Sequence, residues 1–262
     1  MRCLINQIKS LGIIVGLKNY NMKVALVCVA KSEDHYLDEW LDYNHKIGFD
    51  KIILYQNDWR TDIERPFLEK RIWDGKSVQL PIYNSYLQKD KDYDWAAFFD
   101  CDEFLVLKKH NNIKEFIEEY GQKHSVLSLN WYMYGNLGKE TRTSNSLIKE
   151  FTKRNSQPNE HIKVIVKTNT NNRFVLPHNC HEQSMDTSGK FFYGPFNPNG
   201  PMDVAYLNHY HNKTKEDWMD RCKRGRVDCE VQHDPNRWDK EITYNNEVED
   251  LWAYNFMYGN ND

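Results

Sequence analysis

Through its first half the chain alternates short, unbroken apolar runs with longer stretches whose apolar residues recur at helical spacing. Val24 to Ala30 (VALVCVA) is a continuous, largely β-branched run, the pattern of a strand covered on both faces. Tyr36, Leu37, Trp40, Leu41, Tyr43 and Asn44 then repeat as one helical face, with Ser32 or Asp34 as the cap and Gly48 as the stop. Asp50 to Gln56 reads as a second strand, so the opening is β-α-β, a unit that almost always joins two parallel strands with right-handed topology. The pattern predicts a short strand at Ser77 to Pro81, a helical or loop stretch from Asn84 to Lys91, and a buried strand at Trp95 to Phe99. A helix over Ile113 to Tyr120, capped by Asn111-Asn112 and stopped by Gly121, precedes a strand at Ser125 to Trp131. Such alternation predicts an α/β fold with a largely parallel sheet flanked by helices.

Beyond Trp131 the periodicity weakens. Residues 135 to 160 are polar and read as a long loop or lid. Ile162 to Lys167 reads as a strand, and Pro177 to Pro201 is broken by Gly, Pro and Asn between aromatic residues. Helices are expected over Lys215 to Arg226 and Asn246 to Tyr258. With no internal repeat and no low-complexity linker, residues 22 to 262 read as a single domain with halves 22–131 and 132–262, behind an N-terminal extension of residues 1 to 21. The apolar patch Leu11 to Leu17 in that extension is far shorter than the roughly 20 residues a bilayer-spanning helix needs. A cytoplasmic protein with at most peripheral membrane contact is expected.

Composition narrows the partners. Aromatics make up 14% of the 262 residues, which suits surfaces that stack on flat or ring-shaped ligands such as sugars. A formal charge of -3 provides no global basic field for a nucleic-acid backbone, so no nucleic-acid partner is expected. The six Cys show no CxxC pairing and read as reduced thiols, with Cys28 and Cys101 as small buried hydrophobes.

The strongest candidate for chemistry is Asp100-Cys101-Asp102, directly after WAAFF. On an extended backbone these carboxylates share a face with backbone positions roughly 6.6 Å apart, a span that an ion or its water shell bridges. Hard oxygen ligands favour Mg or Mn, and open α/β sheets bind ligands outside the carboxyl ends of their strands. The run is no EF-hand, because its sixth position is Leu105 where Gly is required. His178, Cys180 and His181 offer three zinc-type ligands but no fourth at a recognised spacing. His209 and His211 share a face if their segment is extended. Trp131, Tyr132, Tyr134, Phe191, Phe192, Tyr193 and Phe196 are candidates for an acceptor platform, although core packing is the better account of most of them.

Three ordered blocks, VALVCVAKSEDHYLDEWLDYNHKIGFDKIILYQND, DYDWAAFFDCDEFLVL and LNHYHNKTKEDWMDRCKRGR, resemble the family 2 and family 92 group of GT-A glycosyltransferases over roughly residues 22 to 230. The resemblance implies a GT-A fold, a nucleotide-sugar donor, commonly UDP-linked, and a Mn or Mg ion held by the DxD motif. Asp100 would contact the donor ribose or metal-bound water, and Asp102 would ligate the metal. Lys31, Ser32 and Glu33 would lie against the nucleotide, although family members often have Asn in the place of Ser32. Asn57 and Asp58 would be close to the base or ribose. His209, ahead of His211, would complete the coordination, and Lys213 and Arg224 would face the diphosphate. Transfer with inversion to a glycan or glycoconjugate hydroxyl needs a carboxylate base, for which Glu182 and then Asp228 are the candidates. Family 92 relatives make galactose the expected sugar.

Two other readings compete. A nucleotidyltransferase also uses an α/β sheet with paired carboxylates, but KSEDHY lacks the glycines of a phosphate-cradling turn. A non-catalytic carbohydrate-binding protein would bind sugar without metal-promoted turnover of a donor.

Overall fold

The computed structural model describes residues 21–241 and 244–259, so the extension expected at residues 1 to 21 lies, but for its last residue, outside the described residues. The opening unit is β1 (Val24–Ala30), α1 (Asp34–Lys46) and β2 (Lys51–Gln56), with β1 and β2 parallel in register Ala25 to Lys51 through Ala30 to Gln56. Neither Ser32 nor Asp34 caps α1. Asp34 instead accepts the Trp59 indole N–H at 2.6 Å, and Ser32 takes a left-handed backbone, φ 53°. Gly48, at φ 109°, provides the turn that ends the helix, a conformation L side chains resist.

The strand expected at Ser77 to Pro81 does not form. β3 (Leu68–Ile72) comes earlier, and α2 (Gln79–Lys89) occupies the expected position. β3 is an edge strand in which only Leu68 is buried, and its Glu69-Lys70-Arg71 centre pairs with surface charges, so it carries no apolar run to read. Pro81 lies in the first turn of α2, where a missing N–H breaks no helical hydrogen bond.

β4 (Trp95–Phe98) pairs parallel with β1 and leads through a turn into β5 (Glu103–Leu107) and α3 (Ile113–Tyr120). Asn112 caps α3 by accepting the Glu115 N–H at 3.0 Å. β6 (Val126–Met133) is followed by the short α4 (Leu147–Glu150), β7 (Lys153–Arg154) and the long β8 (Asn159–Lys167). The stretch expected to be a loop or lid is therefore structured in part, and Arg142 fastens it to Asp217 at 2.6 Å. Short strands follow at β9 (Phe174–Leu176), β10 (Asn179–Cys180), β11 (Ser184–Met185) and β12 (Phe191–Phe192), then β13 (Ala205–His209). The chain closes with α5 (Lys215–Arg224), α6 (Arg237–Glu241), β14 (Val248–Glu249) and α7 (Trp252–Tyr258).

The main sheet runs β12-β11-β6-β8-β4-β1-β2-β3. From β4 to β3 it is parallel and Rossmann-like, whereas β8 enters antiparallel between β4 and β6. The upper edge of β6 takes β13 in parallel, and β13 pairs antiparallel with β5. Val24, Leu26 and Cys28 pack into a core with α1 and α3, while Ala25, Val27 and Val29 pack against α2 on the other face. Burial on both faces explains why β1 reads as an unbroken apolar run. Among the described residues no helix is long and apolar enough to cross a membrane.

Candidate functional site

The carboxyl ends of β1 and β4 open onto a cleft of about 360 Å³, lined by Lys31, Glu33, Asp100, Asp102, His209 and Arg224 among others. The chain does not stay extended through Asp100-Cys101-Asp102. β4 ends at Phe98, the Glu103 N–H closes a turn onto the Asp100 carbonyl at 3.0 Å, and the Glu103 carboxylate accepts the Asp100 N–H at 2.9 Å. The expectation that the two carboxylates share one strand face is therefore corrected. They enter the cleft from different sides, each with its own partners.

Asp100 turns toward α2 and β8. Its Oδ1 accepts from Gln79 Nε2 at 2.9 Å, and its Oδ2 accepts from Lys163 Nζ at 2.8 Å. Lys163 is fully buried, with Glu103 Oε2 at 3.7 Å as a second acidic neighbour. Burial disfavours the charged ammonium, but the Asp100 carboxylate at 2.8 Å outweighs it and raises the Lys163 pKa. Burial pushes the Glu103 carboxyl well above its ordinary range despite Lys163.

Asp102 turns toward β13 and α5. Its Oδ2 meets Arg221 at 3.2 Å and Lys213 at 3.5 Å. Burial would raise its pKa, but Lys213, Arg221 and then His209 hold it well below the usual carboxylate range. The Tyr210 N–H donates to the Asp102 carbonyl at 2.9 Å, which fastens the turn beside β13. Glu33 completes the charge cluster. Burial raises its pKa, and Arg224 and Lys213 more than reverse that. Arg224 also donates to the backbone carbonyls of Lys31 and Ser32, so one guanidinium closes the loop after β1. Glu33, His211, Arg221 and Arg224 also line a neighbouring cavity of about 500 Å³, along with Ser32 and Lys213.

Asp102 and His209 are the side chains that could hold a divalent ion here. Asp102 Oδ1 is buried without a hydrogen bond, and His209 Nε2 faces it at 3.5 Å. That gap suits two ligands of one ion at coordination distances of about 2.1 Å. His211 stands behind His209, ring centroids 5.4 Å apart. Its Nδ1 faces Asn212 Oδ1 at 2.9 Å, and burial followed by Arg221 and His209 holds its pKa well below the ordinary value, so the ring is neutral. Among the described residues no three His, Cys, Asp or Glu side chains converge as a ready-made metal cluster. The remaining ligand positions would fall to oxygens of a bound molecule.

Three expected site residues lie elsewhere or are differently employed. Glu182 accepts from Ser125 Oγ at 3.0 Å. Ser125 just precedes β6, and its carbonyl accepts from Lys167, whose register partner Trp95 starts β4. Glu182 is therefore at the opposite end of the sheet from the cleft. Asn57 is fully buried, and its amide donates to the Trp73 and Gly75 carbonyls, so it anchors the loop after β3. Asp58 is more exposed and holds Lys31 at 3.0 Å. Asp228, by contrast, lines the cleft, where Arg226 clamps it with bonds of 2.8 and 2.5 Å. Burial raises its pKa, and Arg226 pulls it below the ordinary value.

The trio His178, Cys180 and His181 does not gather. Cys180 is buried in the α2-side core and His181 is exposed. His178 enters the cleft wall with Trp131 and His161, whose rings stack at 5.2 Å. Gln79, Lys163 and Arg221 were not singled out from sequence. Lys163 had a signal, as the one charge inside the apolar run IKVIV, and Arg221 lies three residues before Arg224 on the same helical face.

The family model "Glycosyltransferase family 92" matches residues 73–255. A family 92 protein of Oryza sativa subsp. japonica is 22% identical over 225 residues, 80% of this chain and 37% of that protein. A second, from Ricinus communis, is 21% identical over 223 residues, 80% of this chain and 39% of its own length. The chain thus spans less than two-fifths of the curated relatives it matches. Among solved structures, S. aureus TarS aligns with a TM-score of 0.33 at 18% identity, over 56% of this chain and 47% of that one. Rv0371c of Mycobacterium tuberculosis H37Rv, in complex with manganese, aligns with a TM-score of 0.30 at 12% identity, over 42% and 65%.

Proposed function

The chain belongs to glycosyltransferase family 92, and from that premise we propose that it transfers a sugar, galactose in the first instance, from a UDP-sugar to a glycan or glycoconjugate hydroxyl, with a Mn or Mg ion at Asp102 and His209. One observation carries this reading. A buried carboxylate oxygen without a hydrogen bond faces an imidazole nitrogen, and Lys213, Arg221 and Arg224 surround the pair at the carboxyl ends of the parallel strands.

When bound, the ion supplies Lewis-acid stabilisation of the charge that develops on the departing diphosphate. The chain's own cations do the rest of that work. Among the described residues Lys213, Arg221 and Arg224 pair with Asp102, Glu33 and nearby carbonyls, and diphosphate oxygens would offer the same cations further charge-assisted hydrogen bonds. Asp100, fixed by Gln79 and Lys163, is the acceptor for donor ribose hydroxyls. Asp228 is the base candidate in the cleft. As a carboxylate at neutral pH it can take the acceptor hydroxyl proton, though the Arg226 clamp that lowers its pKa also weakens it as a base, and attack opposite the leaving group inverts the anomeric centre.

A hydrolysis screen of UDP- and GDP-sugars with Mn or with EDTA, run beside Asp102→Ala, tests this. The expected result is Mn-dependent cleavage of a UDP-sugar that falls about a hundredfold or more in the variant. Turnover in EDTA, or full activity in Asp102→Ala, sinks the proposal.

A further inference from the structure

Lys163 is the least expected charge in the molecule. It sits in the middle of β8 with no exposed surface, a costly placement unless the ammonium is well paired. Continuing the antiparallel register of Ala97 with Ile165 sets Lys163 opposite Phe99, one residue before Asp100. Its ammonium lies 2.8 Å from Asp100 Oδ2 and 3.7 Å from Glu103 Oε2, and Gln79 holds the other Asp100 oxygen at 2.9 Å. Gln79 is itself buried and also donates to Tyr83 Oη at 3.0 Å. Both oxygens of Asp100 are thus claimed from the β8 and α2 side, while Asp102 is held from the β13 and α5 side. The turn closed by Glu103 starts the two carboxylates on different sides, and these bonds hold the Asp100 side chain back from rotating toward an ion at Asp102.

We propose that Lys163, with Gln79, is the positioning residue that keeps Asp100 off the metal, so that Asp102 ligates the ion and Asp100 is reserved for the donor. The inference rests on the donor-and-metal reading above. It makes a counterintuitive prediction. Loss of Lys163 should tighten the binding of a bare divalent ion, because Asp100 is freed to become a ligand, while the nucleotide loses its fixed acceptor.

The test is a titration of the whole chain with Mn2+, following the free-ion EPR signal, with and without UDP. Lys163→Met should bind Mn2+ without UDP about tenfold more tightly than wild type, since added ligand charge tightens such sites. Its UDP affinity in the presence of Mn2+ should fall about tenfold, as expected when a hydrogen bond to a charged group is lost. In Lys163→Met/Asp100→Asn the tightening should vanish. Gln79→Met releases the other oxygen without altering charge and should tighten Mn2+ less, again only while Asp100 is intact. If Lys163→Met does not fold, Gln79→Met with and without Asp100→Asn makes the same comparison. A merely structural role for Lys163 would weaken both ligands. Unchanged or weaker Mn2+ binding in the folded variants overturns the inference, as does tightening that persists with Asp100→Asn, which would be through-space charge alone. A wild-type chain that binds no Mn2+ even with UDP overturns the metal reading itself and the inference with it.

Discussion

His178 has two ring nitrogens in unlike surroundings. Nδ1 is 3.1 Å from the Ile162 carbonyl, which can only accept, so Nδ1 carries the proton and Nε2 is bare. Burial, then Lys163, lowers its pKa to about 3. A neutral histidine in the fold is one that the unfolded chain protonates more readily. Its contribution is fully present above the unfolded value of about 6.5 and is lost progressively as pH falls toward 3. At pH 5 that loss is roughly 2 kcal/mol, by the standard conversion of pKa difference to free energy. Urea unfolding of wild type and His178→Gln between pH 4.5 and 7.5 measures it. The variant should show the shallower decline, and parallel curves would count against the assignment. His161, His211 and His233 are lowered by burial as well, so acid sensitivity should diminish in the variant without disappearing.

At the scale of elements, α5 is the part that carries both stability and the proposed donor contacts. Its start is a capping box. Thr214 Oγ1 accepts the Asp217 N–H at 3.1 Å, and Asp217 Oδ2 accepts the Thr214 N–H at 3.1 Å. Asp217 also accepts the Tyr36 hydroxyl at 2.9 Å and the Arg142 Nε–H at 2.6 Å, which ties the helix to α1 and to the segment before α4. From that fixed start the helix delivers Arg221 and Arg224, three residues apart, to the cleft. Thr214→Ala should cost about 1 kcal/mol of stability. For a chain of this size that is a fall of roughly 2–4 °C in melting temperature. UDP affinity by calorimetry should weaken with it, because the cap sets where the arginines stand. A full stability loss with unchanged UDP affinity would separate the cap from the site.

At the scale of the whole molecule, the two halves read from the sequence interlock. β13, from the second half, runs beside β5 and β6, both largely from the first, with Leu207 opposite Leu105 and Trp131. β8 likewise enters between β4 and β6. The donor half lacks its central antiparallel strand without residues 159–167, and Asp102 lacks His209 without β13. The chain should therefore unfold in one transition, with Trp fluorescence and far-UV circular dichroism coincident in urea. A fragment of residues 21–133 should show no cooperative transition. A folded fragment that melts on its own would mean that the halves are separate units.

Sequence alone determined the β-α-β opening, the buried strand before Asp100, the α3 cap and the end of the sheet onto which the cleft opens. These are legible because burial on both faces, helical repeat and capping leave local signatures, each within one or two turns of chain. β3 escaped because an edge strand with one buried residue has no such signature. Only the tertiary structure decided the charges. Lys163 reaches Asp100 across 63 positions, and Arg221 reaches Asp102 across 119. From sequence Glu182 is the preferred base and Asp228 the second, but the chain path sets Glu182 at the far end of β6 and Asp228 in the cleft. The Asp100-Cys101-Asp102 triplet was visible as a motif, but the turn closed by Glu103 separated its two carboxylates. Apolar patterning is a property of neighbours along the chain. Ion pairing is a choice among many chemically equivalent partners, and the fold makes it by bringing one of them within reach.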